Sequence, residues 1–179
     1  VTFSRGKRDG RSTIWLTPEE KQEERFYKNG KLDGPSTFWI NGYRNTMTTY
    51  KSDSPEGPWV IWFSNSDQIK EQGFHQRGIR EGLTTYYYED GTMQREGFFR
   101  QGLPDGLWTY WNKKAEKDFE FDFGTGLQHI SLEDLVERES IFYKLGEDIP
   151  FTGIITQENP EADYLFLGRT KDGKKDGQW

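Results

Sequence analysis

The stretch Gly102-Leu-Pro-Asp-Gly106-Leu-Trp-Thr-Tyr-Trp111 holds the pattern that decides the fold. Two glycines stand four residues apart, and an aromatic residue follows the second by five. The second glycine recurs at Gly10, Gly34, Gly57, Gly82 and Gly106, in steps of 24, 23, 25 and 24 residues. The aromatic follows each time as Trp15, Trp39, Trp62, Tyr87 and Trp111. The first glycine is Gly6, Gly30, Gly78 or Gly102, and Asp53 replaces it once. Self-similarity at such a period marks a repeat array. Repeat arrays present extended surfaces, and that weights the reading toward binding rather than catalysis.

Within one period, Pro58 to Phe63 is apolar and rich in aromatic and β-branched residues, so it reads as a strand. Ser64 to Asp67 reads as a turn, and Gln68 to Phe74 as a return strand. Gln76 to Gly82 reads as a polar loop with two glycines. The other copies place turns at Asn41-Gly42, Asp90-Gly91 and Asn112-Lys113. The expected fold is all-β: tandem hairpins in an elongated single-layer antiparallel sheet. A lone hairpin is marginal in water, so each copy needs its neighbours.

Alternation assigns faces along the first strand of each hairpin. Thr13, Thr37, Val60, Thr85 and Thr109 share a face with the Trp15–Trp111 series. Ile14, Phe38, Ile61, Tyr86 and Tyr110 share the other face with Trp59 and Trp108. The reading takes the Trp15, Trp39, Trp62, Tyr87, Trp111 series as the packed face. It takes Trp59, Ile61, Tyr86, Trp108 and Tyr110 as the partly exposed binding surface, since an exposed row of rings is an interface signal. A protein partner is preferred to a glycan, because no Asn/Asp cluster accompanies those rings. Strand addition at a sheet edge, including self-association, is the other docking mode.

The bulk numbers agree with a thin core of rings. The chain has 179 residues, 32% hydrophobic, 30% charged and 16% aromatic. A net charge of −6 with mixed signs argues against nucleic acid. Basic clusters at Arg5, Lys7, Arg8 and Arg11 and at Arg77–Arg80 support a weaker alternative, peripheral membrane binding. The absence of Cys excludes disulfides and thiolate metal sites. His75 and His129 have no nucleophile or carboxylate at ligand spacing, so no catalytic residue, cofactor or metal is expected. Asp118-Phe-Glu-Phe-Asp-Phe123 alternates with period two, with its carboxylates read as a solvated face or, alternatively, a stripe for a basic partner or Ca²⁺.

The glycine pair, the aromatic pair and the length resemble the MORN repeat. The acidic-aromatic return strand resembles its bacterial variant, similar to the YwqK-type antitoxin family. The resemblance covers residues 3 to 123. Ile141 to Gly153 looks like a segment that opens such arrays, and Gly173-Lys-Lys-Asp-Gly177-Gln-Trp179 like a truncated copy. It implies a non-catalytic interaction scaffold, with antitoxin-like sequestration of a toxin as one form; membrane binding or service as an accessory arm of a larger enzyme are alternatives. Asp53 and Glu139-Ser140 depart from the pattern and weaken two turns.

The expected organisation is an array over residues 1–123, a linker or cap over 124–140, and a second, truncated array over 141–179. The chain starts at Val1 inside a repeat and reads as a piece of a longer protein. Its compartment is not legible. Ser131-Leu-Glu-Asp134 loosely matches a capping box, predicting a short helix or turn, with Leu135–Arg138 and Ile141–Lys144 as an alternative hairpin.

Overall fold

A computed structural model describes residues 2–159 and 162–177. The chain divides into two compact units, Val1–Phe121 and Asp122–Trp179. The first begins with a small hairpin, β1 (Phe3–Ser4) and β2 (Lys7–Arg8). The antiparallel array follows as β3 (Gly10–Trp15), β4 (Lys21–Lys28), β5 (Lys31–Ile40), β6 (Tyr43–Lys51), β7 (Ser54–Trp62), β8 (Ile69–Gln76), β9 (Ile79–Arg80), β10 (Gly82–Tyr87), β11 (Met93–Arg100), β12 (Leu103–Trp111) and β13 (Lys117–Asp122). The strands pair in sequence order from β3 to β13 in one 11-stranded sheet, with β9 on the flank of β8. The all-β hairpin array read from the period is therefore the observed architecture.

The glycine-flanked connections are not the polar loops expected from sequence. Most residues of Lys31–Gly34, Ser54–Gly57 and Leu103–Gly106 extend the following strand, and the connection shrinks to two residues. Both residues take positive φ, as in Asn29-Gly30 (52° and 88°) and Gln101-Gly102 (51° and 83°). This is the type I′ geometry whose twist matches a hairpin. Ser52-Asp53 and Glu139-Ser140 adopt the same geometry without glycine (φ 50° and 71°, 52° and 63°). The turn survives at both departures, at a steric cost that glycine avoids.

Two devices repeat along the array. The register slips by one residue just before four of the five fifth-position aromatics, at Ile14/Trp15, Phe38/Trp39, Ile61/Trp62 and Tyr86/Tyr87. These are β-bulges at the turn end. At the other end, the turn glycine amide donates to a carbonyl one repeat back: Gly30 to Arg8 (2.7 Å), Gly78 to Pro55 (2.9 Å) and Gly102 to Arg80 (3.0 Å). Beside it, the carboxylate preceding the key glycine accepts the amide of the next turn. Asp9 takes Asn29 N–H (3.1 Å), Glu56 takes Arg77 (2.7 Å) and Glu81 takes Gln101 (2.9 Å). Three of the four junctions are thus fastened by a charge-assisted hydrogen bond of this kind. At the fourth, Asp53 N–H donates to Leu32 O (2.9 Å) while Asp53 Oδ1 accepts Leu32 N–H (2.7 Å). The sequence carries this signal as an acid before all five key glycines: Asp9, Asp33, Glu56, Glu81 and Asp105.

The second unit contains β14 (His129–Ser131), β15 (Leu135–Arg138), β16 (Ile141–Lys144), β17 (Gly153–Asn159), β18 (Ala162–Lys171) and β19 (Lys174–Asp176). β15 and β16 pair as the hairpin expected as an alternative, and Leu132–Asp134 forms a single 3₁₀ turn before it. β14 runs parallel to β17, a pairing that no hairpin reading anticipates. The core is Phe142, Phe151 and Ile155, with Ile130, Leu135 and Leu167 packed on it. The array's fastening recurs here: Gly173 N–H donates to Phe151 O (2.8 Å), and Asp172 N–H to Thr152 Oγ1 (2.8 Å). Gly153 and Gly177 therefore stand where Gly10 and Gly34 stand in the array. Trp179 lies outside the described residues.

Candidate interaction surfaces

The register confirms which side chains share a face. It also departs from the expected burial at several positions. The second residue after each key glycine is buried in all five repeats: Ser12, Ser36, Trp59, Thr84 and Trp108. Ile155, second after Gly153, is fully buried as well. Trp59 and Trp108 are each only 3% exposed, so they cannot form the binding surface assigned to them from sequence. Tyr86 is buried too, and Ile61 and Tyr110 are half-buried.

The reason lies on the neighbouring strands. Trp59 is paired with Gly73, where a Cβ would come within 2.8 Å of the indole. Trp108 lies against Gly97, where a Cβ would overlap the ring outright. The indole of Trp108 also donates to Phe98 O (3.1 Å). Each ring lies on bare backbone, which excludes water without a second layer. The glycines that make this room sit in the return strands, not in the connections.

Around these rings is a knot of cations. Arg80 lies over Trp59 (4.8 Å) and Phe99 (5.6 Å), and reaches Tyr86 OH (3.2 Å) and Glu71 (3.6 Å). Arg95 lies over Tyr86 at 4.0 Å. Phe99 meets Trp108 edge-on at 5.3 Å, and Tyr110 stacks on Phe119 at 4.3 Å. Burial raises the Tyr110 phenol above its usual range, opposed by the charge and hydrogen bond of Arg95. His75 packs on Trp59 (5.6 Å) with its Nδ1 buried and without a hydrogen bond. Burial, then the Arg80 charge, lowers its pKa. His129 stacks instead on Phe123 in the second unit.

One member of each basic cluster is engaged in the array. Arg8 covers Tyr27 at 5.2 Å and bonds its hydroxyl, and Arg80 belongs to the knot just described. In the acidic stripe, Glu120 pairs with Lys117 (2.8 Å) and Asp122 accepts Gly124 N–H (2.8 Å). Among the described residues no group of three or more His, Cys, Asp or Glu is placed to hold a metal ion. Among the described residues no helix is long and apolar enough to cross a membrane.

The opposite face carries the series expected to be packed, and its burial is graded. Trp15 is 52% exposed, Trp39, Tyr87 and Trp111 are half-buried, and Trp62 is buried. Lys21 lies over Trp15 (5.7 Å) and Trp39 (4.8 Å), and Arg44 over Trp62 (5.0 Å). Cations thus lie over three of the five rings.

On the same face, toward the connection end, is a row that sequence reasoning missed. The first residue after each key glycine is exposed: Arg11, Pro35, Pro58, Leu83 and Leu107. Pro58 pairs with Phe74, and Leu83 with Phe98. Phe74 O accepts Glu81 N–H, which brings the two pairs side by side. Leu107 follows on β12. Phe74, Leu83, Phe98 and Leu107 are 44%, 46%, 56% and 55% exposed. A contiguous apolar row thus crosses β7, β8, β10, β11 and β12. Its signal was present as an apolar residue after four of the five key glycines and a Phe after Gly73 and Gly97. No protein-family model matches the chain, and no curated protein matches it.

Proposed function

We propose that this chain is a non-catalytic repeat scaffold of MORN type that binds a protein partner through the row Pro58, Phe74, Leu83, Phe98 and Leu107. The observation that carries the reading is the exposure of that row, in which Phe74, Leu83, Phe98 and Leu107 are 44–56% exposed and lie side by side across paired strands. Contiguous exposed apolar surface of this kind is a mark of interfaces. The continuous antiparallel pairing gives an ordered support, so little ordering cost accompanies docking. The surface assigned from the sequence, Trp59, Tyr86 and Trp108, serves instead as the core that stiffens this support.

The test is capture of a stoichiometric partner by the tagged protein in its native host, repeated with Leu83→Ser/Phe98→Ser. Both side chains are exposed, so the variant keeps its fold. The reading predicts that the partner is lost with this variant and retained with Ile14→Ser, which lies on the opposite face. Equal capture by both variants contradicts it. A toxin as the captured partner would make the scaffold antitoxin-like.

A further inference from the structure

The two edges of the 11-stranded sheet match one another. Among the described residues β3 and β13 each pair on one side only, with β4 and β12. The edge strand β13 is built as the inner strand β4 is. Lys21 follows Trp15 by six residues and Lys117 follows Trp111 by six, each with a Glu three residues on. Thr13 bonds Glu24 and Thr109 bonds Glu120, both at 3.5 Å, and the lysines reach the same carboxylates at 3.2 and 2.8 Å. Beyond β4 lies β5. There Glu23 faces Phe38, Glu24 faces Thr37, Arg25 faces Ser36, and Lys21 lies over Trp39 at 4.8 Å. The other edge, β3, carries the same series one repeat earlier as Ile14, Thr13, Ser12 and Trp15. Ile14 and Trp15 are 47% and 52% exposed, and Phe119 on β13 is 42% exposed. Thr2 Oγ1 stands 2.8 Å from where a Cβ of Gly10 would lie, so the open stretch of β3 is residues 12–15.

We propose that a second copy of this chain docks its β13 against β3, head to tail, in the register that β4 keeps with β5. Phe119 then faces Ile14, Glu120 faces Thr13, Phe121 faces the small Ser12, and Lys117 reaches the open side of Trp15. The charges on β13 do not close that edge, since β4 carries Lys21, Glu23, Glu24 and Arg25 and pairs on both sides. They select the partner instead. Two β13 edges would bring Asp118, Glu120 and Asp122 of each copy together, whereas the one charged residue on β3 is Arg11. Backbone pairing supplies the affinity, and the side-chain ladders set the register. The contact is heterologous, so each added copy leaves one free edge of each kind and the assembly propagates. It rests on the strand order of the array and is separate from the apolar row.

The chain contains no Cys, so a disulfide can be placed across the contact. Directly opposed residues of antiparallel strands lie about 4.5–5.5 Å apart, within disulfide reach. Ile14 and Phe119 stand at opposite edges of one sheet, so the bond forms only between copies. The full chain carrying Ile14→Cys and Phe119→Cys together is oxidised and run on a denaturing gel without reductant, after circular dichroism shows that the sheet is kept. The expected result is a ladder of covalent multimers. Each single variant remains a monomer on the gel, and a mixture of the two gives a dimer and nothing larger. The proposal is overturned if the double variant gives no multimers, or if either single variant crosslinks to itself as strongly as the mixture does, which means that like edges meet. It is also overturned if Lys70→Cys, exposed on the inner strand β8, couples to Phe119→Cys as strongly as Ile14→Cys does. None of these outcomes depends on a partner at the apolar row.

Discussion

Replacing Gly97 by Ala isolates the contact that buries Trp108. Gly97 has no positive φ, so alanine causes no backbone strain there. Its only effect is the added methyl, which would overlap the indole. A Trp buries about 150–250 Å², and at about 25 cal/mol per Å² full burial is worth about 4–6 kcal/mol. The methyl lifts the ring rather than expelling it, so the cost is that of overpacking, about 2–3 kcal/mol. Trp108→Ala removes the ring and costs about 3–5 kcal/mol. In the Trp108→Ala background the new methyl meets empty space. There Gly97→Ala is neutral, or stabilising by about 0.5 kcal/mol, since glycine is a poor strand residue. The two substitutions therefore couple by about 2–3 kcal/mol. Urea unfolding followed by far-ultraviolet circular dichroism on the four chains of this cycle measures the coupling without relying on tryptophan emission. Additive costs would refute the claim that the ring is buried by lying on the glycine backbone.

Further outcomes follow from the same geometry. Glu139→Asn/Ser140→Gly places the preferred I′ pair at a turn that now holds two non-glycine residues at positive φ; it raises the stability of the second unit by about 1 kcal/mol in urea titration. Glu81→Ala removes the acceptor of Gln101 N–H and lowers the stability of the array by about 0.5–1 kcal/mol, with faster amide exchange at Gln101. His75 has its pKa lowered by burial and by Arg80, so the unfolded chain takes up the proton more readily than the folded one. Stability from this group is complete above the unfolded value of about 6.5 and falls as the pH drops below it. Thermal scans on either side of that pH show a loss on the acid side, which His75→Gln reduces.

How much of this was legible depends on the range of the interaction. The period, the hairpins and the sharing of faces follow from spacings within one repeat, and Gly10, Gly34, Gly57, Gly82 and Gly106 place them. Burial was not legible in the same way. Whether Trp59 or Trp15 faces water is decided by residues on a paired strand, Gly73 in one case and Lys21 in the other, across a register that slips at the bulges. Two indoles of equal hydrophobicity thus differ in role. The fastening by Asp9, Glu56 and Glu81 spans about twenty residues, but its acid before each glycine was readable from one chain. In the second unit, the parallel pairing of β14 with β17 has no local signature, whereas the I′ turn at Asp172-Gly173 does. The apolar row was missed because the face assignment covered the second to fifth positions after each key glycine and left the first, Pro58, Leu83 and Leu107, unassigned.

The most direct measurement of the central claim is site-specific photo-crosslinking in the native host. A photoreactive residue is placed in turn at Leu83, Phe98 and Leu107 on the apolar row, and at Phe38 and Phe119 on the opposite face. The account predicts that the first three positions crosslink to one and the same protein and the last two do not. Crosslinks confined to Phe38 and Phe119, or none to protein from any position, would contradict it.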